Sequence, residues 1–208
     1  MKLILISDTH GQHNNLEMPG GDVLIHAGDV TRHGVEDEVI DFLNWFEKQP
    51  FEYRIFVAGN YDFYFERTAE DKLEKIIPEG VIYLKDSGFS INGINIWGSP
   101  VTPWFFDWAF NRHRGPAIRW HWDLIPPGTD VLVTHGPVYG IHDCTIDGIH
   151  VGCYDLLQRV IEIKPLIHVG GHIHEGYGTA KINNTIFVNA SVLDEGYRLV
   201  NKPVVLDI

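Results

Sequence analysis

The stretch that decides the fold is Met1-Lys2-Leu3-Ile4-Leu5-Ile6-Ser7-Asp8-Thr9-His10-Gly11. Leu3 to Ile6 has no polar face, so Lys2 to Ser7 reads as a strand covered on both sides inside a layered α/β core. It ends in Asp8-Thr9-His10-Gly11, which puts an oxygen donor and a nitrogen donor two residues apart at a strand's carboxyl end. Open α/β sheets carry their chemistry there. The same grammar of apolar strand and polar turn recurs downstream. Asp22 to Ala27 stops at Gly28-Asp29, and Tyr53 to Ala58 at Gly59-Asn60-Tyr61-Asp62. Val131 to Thr134 runs into His135-Gly136-Pro137, and Leu166 to Val169 into Gly170-Gly171-His172-Ile173-His174.

Between these strands the pattern is helical. Val35 to Lys48 places Val35, Val39, Phe42, Leu43 and Phe46 on one face and is stopped by Pro50. Thr68 to Ile77 and Tyr154 to Ile163 read as further helices. Val81 to Leu84 is a short strand, and Phe89 to Ile91 with Ile94 to Gly98 forms a hairpin across Asn92-Gly93. Thr179 to Asn183, Ile186 to Asn189 and Val204 to Ile208 read as antiparallel strands. Strand and helix alternating, then antiparallel strands, predicts a mixed sheet or two sheets face to face with helices outside. Ser99 to Arg114 differs in kind, crowding Trp104, Phe105, Phe106, Trp108 and Phe110 into a loop. Such a loop either folds over a small core of its own or forms one wall of a substrate pocket, and both readings stay open.

A chain of 208 residues, 44% apolar and 21% charged, is expected to form one domain, 1–208, with an ordinary globular core. No stretch reaches the length of a membrane span and Met1 leads directly into strand, so a cytoplasmic protein without a membrane partner is expected. Cys144 and Cys153 are expected to stay reduced there. A formal net charge of −12 argues against holding long nucleic acid through its phosphates. A small phosphate ester fits if bound cations reverse the local field.

The strand-end residues Asp8, His10, Asp29, Asn60, His135, His172 and His174 describe a pocket for divalent metal. Mixed nitrogen and oxygen donors suit Mn²⁺, Fe²⁺, Co²⁺, Ni²⁺ or Zn²⁺ and exclude soft thiolate chemistry. They are too many for one ion; two ions sharing a carboxylate would use them all. Lone histidines such as His13, His26, His113, His121, His142, His150 and His168 read as surface or satisfied core residues.

The order Asp-x-His, Gly-Asp, Gly-Asn-x-Asp, His-Gly, Gly-His-x-His, from Asp8 to His174, resembles the calcineurin-like metallophosphoesterases. Gly98-Ser99-Pro100 through Pro103-Trp104, the run Gly171 to Gly178, and Asn189-Ala190-Ser191 are similar to the metallophosphoesterase-domain-containing (MPPED/239AB) phosphodiesterases within that superfamily. The resemblance implies a four-layer α-β-β-α sandwich, two facing mixed sheets with helices outside. By position it gives Asp8, His10, Asp29 and His174 to one metal and Asp29, Asn60, His135 and His172 to the other, with Asp29 as bridge. Manganese is the expected metal. Some animal members of the group carry glycine at the place of His172; this chain keeps the imidazole.

The chain departs from the family at Tyr61, where a histidine usually helps to place the phosphate and protonate the leaving oxygen. A phenol is mostly in its acid form at neutral pH but a less willing donor. The expected activity is therefore hydrolysis of a small phosphodiester, such as the cyclic nucleotide 2′,3′-cAMP. Two metals lower the pKa of a bridging water toward about 7 and supply hydroxide for in-line attack without a protein nucleophile. Asp29, Asn60, Tyr61 and Asp62 are the expected catalytic groups. Asp62 and Glu175 are expected to orient ligating imidazoles. Arg32, Trp104, Arg112 and Arg114 are further candidates for substrate contact. A phosphomonoesterase or nuclease on the same site, or a non-catalytic scaffold, are the alternatives.

Overall fold

The computed structural model describes residues 1–208. The first strand, β1 (Lys2–Ile6), alternates its side chains between two cores: Leu3 and Leu5 face one and Ile4 and Ile6 the other, all fully buried. Beside it lie β2 (Val23–His26) and β3 (Tyr53–Phe56), in parallel register Leu3↔Val23 and Val23↔Tyr53. Helix α1 (Glu36–Glu47) connects β2 to β3. Its Val39, Phe42, Leu43 and Phe46 pack on the outer face with Ile4, Ile6 and Leu24, and three acids in its first turn match the helix dipole.

After β3 come the short α2 (Phe63–Arg67) and α3 (Glu70–Ile76), then β4 (Val81–Tyr83), which closes one edge of the first sheet. The hairpin β5 (Ser87–Ile91) and β6 (Ile94–Ser99) begins a second, six-stranded sheet. Asn92 and Gly93 turn it at φ 50° and 85°, as the two-residue turn requires.

A small ladder, β7 (Thr102–Pro103) with β8 (Asn111–Arg112), and helix α4 (Pro116–Asp123) follow. Then come β9 (Val131–Thr134), α5 (Tyr154–Ile163) and β10 (Ile167–Gly170). The hairpin β11 (Gly178–Ile182) and β12 (Thr185–Asn189) completes the second sheet, in the order β11-β12-β10-β9-β6-β5. The last strand, β13 (Val204–Asp207), returns to pair antiparallel with β1.

The two sheets face each other across Leu3, Leu5, Val23, Ile25 and Ile55 on one side and Ile96, Val131, Val133, Ile167 and Val188 on the other. On the outer face of the second sheet, α4 and α5 bury Ile118, Trp122, Leu156 and Val160 against Leu132 and Phe187. The result is the four-layer α-β-β-α sandwich. Each of these large side chains contributes about 1.5–3 kcal/mol by leaving water.

Three readings need correction. The 99–114 loop does not close over a core of its own: Ala109 and Phe110 plug into the layer under α1, while Trp104, Phe105 and Phe106 remain exposed. The C-terminal strands are not uniformly antiparallel, because β12 runs parallel to β10. Helices α2 and α4 carry too few apolar residues at regular spacing to announce themselves. Cys144 and Cys153 are unbridged, and no helix is long and apolar enough to cross a membrane.

Two fully or nearly fully buried histidines lock strand ends. His26 Nδ1 accepts from the Gly28 N–H at 3.2 Å, so its Nε2–H faces Thr9 Oγ1 at 2.9 Å. His168 Nε2 lies 2.8 Å from Thr134 Oγ1, which itself donates to the Gly136 carbonyl. Burial pushes both imidazoles down to about 3. The unfolded chain therefore takes up protons below about pH 6.5 that the folded chain refuses, and folding stability falls as pH drops toward 3. The expected slope is about 1.4 kcal/mol per pH unit for each histidine. Urea unfolding of metal-free protein at pH 6 and pH 5 measures it, and a His168→Gln variant should lose one histidine's share of the slope.

Candidate metal centre

Parallel strands point their carboxyl ends the same way, so β1, β2 and β3 deliver Asp8, His10, Asp29 and Asn60 to one end of the first sheet. Parallel β9 and β10 deliver His135, His172 and His174 to the matching end of the second. The sheets are stitched together at that end. Ser7 bridges Ser191 in parallel, Val192 N donates to the Ser7 carbonyl at 3.0 Å, and His172 N donates to both Asp8 oxygens at 2.9 and 3.1 Å.

The side chains form two groups, each with its donor atoms within 4.8 Å of one another: Asp8, His10 and His174, and Asp29, His135 and His172. Asn60 Oδ1 joins the second group, 2.9 Å from His135 Nε2. Asp29 Oδ2 stands between the groups, 3.7 Å from His10 Nε2 and 3.3 Å from His135 Nε2. All seven sequence-derived donors thus meet in one place.

Three of the imidazoles are held in one tautomer. Nδ1 of His10 faces the Thr31 carbonyl at 3.1 Å, that of His135 the Ala27 carbonyl at 2.9 Å, and that of His174 the Asp194 carbonyl at 2.8 Å. A carbonyl only accepts, so each Nδ1 carries hydrogen and each Nε2 is turned into the site, its lone pair open to a cation once any proton there has left. His10 Nε2 is buried there without a hydrogen-bond partner.

The backbone is also bent to serve the cluster. Asp8, His10, Asp29 and His172 have φ of 55°, 41°, 56° and 67°, a region L-residues avoid at a cost of about 1–3 kcal/mol each. Glycine allows the close approach: a Cβ on Gly59 would strike Asp29 Oδ1 and one on Gly171 would strike Asp8 Oδ2 and Ser7.

Two buried carboxylates at one point demand positive charge. Burial alone would raise Asp8 and Asp29, but His174 for the one and His135 for the other override it and hold both carboxyls below the usual range. Reciprocally, His135 and His174 are driven to about 9 against their own burial, chiefly by Asp29 and Asp8 respectively. His172 goes the other way, pushed down to about 4 by burial and then by His135. Buried carboxylates, turned-in nitrogens and an orphaned Nε2 are a donor set that fits a pair of divalent cations.

Not every expected role survives. Asp62 is fully buried behind the site, and its oxygens accept from the N–H groups of Val30, Thr31 and Gly59 and from the Thr31 hydroxyl. It touches no imidazole and does not reach the cavity; it positions the Asp29 loop, and through Thr31 the carbonyl that holds His10. Burial, then Asp29, pushes its carboxyl up to about 7. Glu175 is exposed and accepts from Ile146 N, while the Nδ1 atoms of His10, His135 and His174 face backbone carbonyls instead. Arg112 is engaged with Glu66 at 3.2 Å, and Arg114 with the carbonyls of Gly152 and Val151.

Two clefts flank the cluster. Arg32, Tyr61, Phe63, Trp108 and Tyr197 line one of about 490 Å³. Trp104, Phe105, Arg114 and His172 line the other, of about 350 Å³. The aromatic loop is a wall of both.

Sequence reasoning passed over Tyr197, Asp194 and Thr31, whose roles run through backbone carbonyls or distant loops. Asn189 carried a signal in its Asn-Ala-Ser setting, and its amide indeed donates to the carbonyls of Gly171 and Ile173, fixing the turn between His172 and His174.

Comparison with known proteins identifies the class. The calcineurin-like phosphoesterase family matches residues 1–176, and the chain belongs to that family. Within it, the whole chain is 41% identical to human Metallophosphoesterase domain-containing protein 1 over 230 aligned positions, 71% of that protein. A UPF0046 protein of Caenorhabditis elegans is 36% identical, again over the whole chain and 75% of its own length. Among solved structures, phosphopantetheinyl hydrolase of Mycobacterium tuberculosis superposes with a TM-score of 0.61 at 18% identity, over 92% of this chain and 89% of that one. That likeness is one of fold. Family membership makes the protein a metal-dependent phosphoric ester hydrolase and implies a dinuclear divalent site.

Protons occupy this site in the metal-free chain, so cation uptake must expel them. His135 and His174, at about 9, stay protonated at pH 7, and their stabilising contribution to the metal-free fold is lost as pH rises from 6.5 through 9. Calorimetric titration with Mn²⁺ in buffers of different ionisation enthalpy should register release of about two protons at pH 7, declining toward none above pH 10. Separately, Gly171→Ala should abolish cation uptake by displacing Asp8, as metal analysis of the folded variant would read out.

Proposed function

We propose that the protein is a phosphodiesterase for small diesters, cyclic nucleotides such as 2′,3′-cAMP among them, working with two divalent cations, Mn²⁺ by preference. On this reading Asp8, His10, Asp29 and His174 hold one cation, and Asp29, Asn60, His135 and His172 the other. Bound there, the cations would lower the pKa of a water toward about 7 and neutralise the phosphate oxygens. The observation that carries the reading is Asp29 Oδ2 standing between His10 and His135, where one carboxylate can serve both cations.

The residues do the remaining work. The buried carboxylates and turned-in nitrogens fix the cation positions, and Asp29 is itself fixed by the Tyr61 N–H on Oδ1 at 2.8 Å. Arg32 in the flanking cleft offers positive charge to a diester's oxygens. Tyr61 supports diester over monoester chemistry: a neutral phenol gives partial help to a departing oxygen, enough for a moderately good leaving group and little for an alkyl monoester. The net charge of −12 disfavours long nucleic acid as substrate. Two unbridged cysteines are in keeping with a cytoplasmic setting.

Turnover of an aryl diester, an aryl monoester and an alkyl monoester, each with added Mn²⁺, tests the substrate class. The diester should lead, and equal rates on all three would remove the argument. An Asp29→Ala variant should lose bound metal and more than about a hundredfold in kcat/KM; full activity in that variant would end the dinuclear reading.

A further inference from the structure

We propose that Tyr197 is a catalytic residue, its hydroxyl forming with that of Tyr61 a single hydrogen-bond donor pair for the leaving oxygen of the diester. The proposal rests on the phosphodiesterase reading above.

The two phenol oxygens lie 2.7 Å apart at the mouth of the site. Each ring meets the candidate ligands edge-on: Tyr61 is 4.6 Å from His10, and Tyr197 is 5.0 Å from His10 and 5.4 Å from His174, centroid to centroid. Both line the 490 Å³ cleft with Arg32 and Trp108, so the pair faces the space that a phosphate's substituent would fill.

Neither tyrosine is free to wander. The Tyr61 N–H is committed to Asp29, and its ring packs on Trp108 at 4.5 Å. Tyr197 sits at φ 58°, a conformation costly for a bulky residue, although Gly196 is its neighbour. The turn that imposes it is tied down on every side. The Asp194 carboxylate accepts from the N–H groups of Gly196 and Arg198 and from the Arg198 guanidinium, and Gln12 Nε2 donates to the Tyr197 carbonyl at 3.0 Å. The carbonyl of the same Asp194 holds His174 Nδ1. One turn therefore sets both a metal-facing imidazole and a phenol, and strain of this kind persists where surrounding structure enforces it.

Two hydroxyls bonded to each other use one of their two hydrogens, and the second is left for a third oxygen. In the reaction a bond from water oxygen to phosphorus forms as the bond from phosphorus to the departing oxygen breaks. The attacking water gives up its proton to solvent, and solvent returns one to the departing alkoxide, so the alcohol leaves neutral. The tyrosines lend a hydrogen bond to the oxygen as negative charge grows on it and keep their own hydrogens, an oxyanion-hole role rather than a transfer.

The test is a set of Tyr197→Phe, Tyr61→Phe and double variants, assayed on diesters whose leaving groups range from nitrophenol to simple alkyl alcohols, with bound Mn²⁺ measured for each. Tyr197→Phe should lose about tenfold or more in kcat on alkyl leaving groups, little on nitrophenol, and change KM less than about twofold. The double variant should be no worse than the poorer single one, because the pair acts as a unit. Equal losses across leaving groups, losses that multiply, or loss of bound metal in Tyr197→Phe would make Tyr197 a support for His174 and overturn the proposal. Active wild type with indifferent Phe variants overturns it alone. Wild type that cleaves no diester fails the phosphodiesterase reading and removes the pair's role with it.

Discussion

Two carboxylates, Asp8 and Asp29, lie buried at the junction of two sheets, and most of the molecule's local architecture answers that fact. An anion buried without compensation is among the most destabilising things a fold can contain. Here the compensation comes from imidazoles delivered by the opposite sheet: His135 to Asp29, His174 to Asp8. The charge requirement thus does structural duty, drawing the carboxyl ends of two separate parallel arrays toward one point. It also makes the site receptive to cations, because whatever neutralises the carboxylates must be positive.

Holding such a cluster in place takes a rigid frame. Its left-handed backbone at Asp8, His10, Asp29 and His172 is kept in place by groups that never face the cavity. Asp62 gathers four donors from the Gly28-to-Thr31 and Gly59 loops, Asn189 pins the turn after β10, and His26 and His168 bolt strand ends from below. Removing any one would relax strained backbone and shift a donor atom rather than delete it. Gly59 and Gly171 complete the frame by leaving out the atom that would collide with a carboxylate oxygen.

Beyond the frame, the mouth is aromatic. Phe105 stacks toward Trp108 and packs on His172, and Trp108 in turn covers Tyr61, so a continuous apolar ridge runs between the two clefts. Were a phosphate held at the cluster, the clefts on either side of the ridge would leave room for two substituents, in keeping with the proposed substrate class. The ridge is anchored by Ala109 and Phe110, which reach into the layer beneath α1, so the loop's aromatic density is partly structural and partly site wall.

By itself the sequence determined the strands that matter and what stands at their ends. Unbroken apolar runs such as Leu3 to Ile6 can only be doubly covered strands, and a polar residue just beyond such a run has nowhere to go but the sheet's edge. Those are local consequences of periodicity and burial, which is why the strands and the donor set at their ends were legible, whereas the four layers followed only from the resemblance to a known family. Tertiary structure alone decided how the two sheets face each other, that β12 runs parallel to β10, and that Asp62 spends its oxygens on backbone rather than on an imidazole. It also decided that Tyr197, remote in the chain, meets Tyr61. These depend on contacts between segments far apart in sequence and on backbone carbonyls that every residue possesses, and neither leaves a mark on residue type.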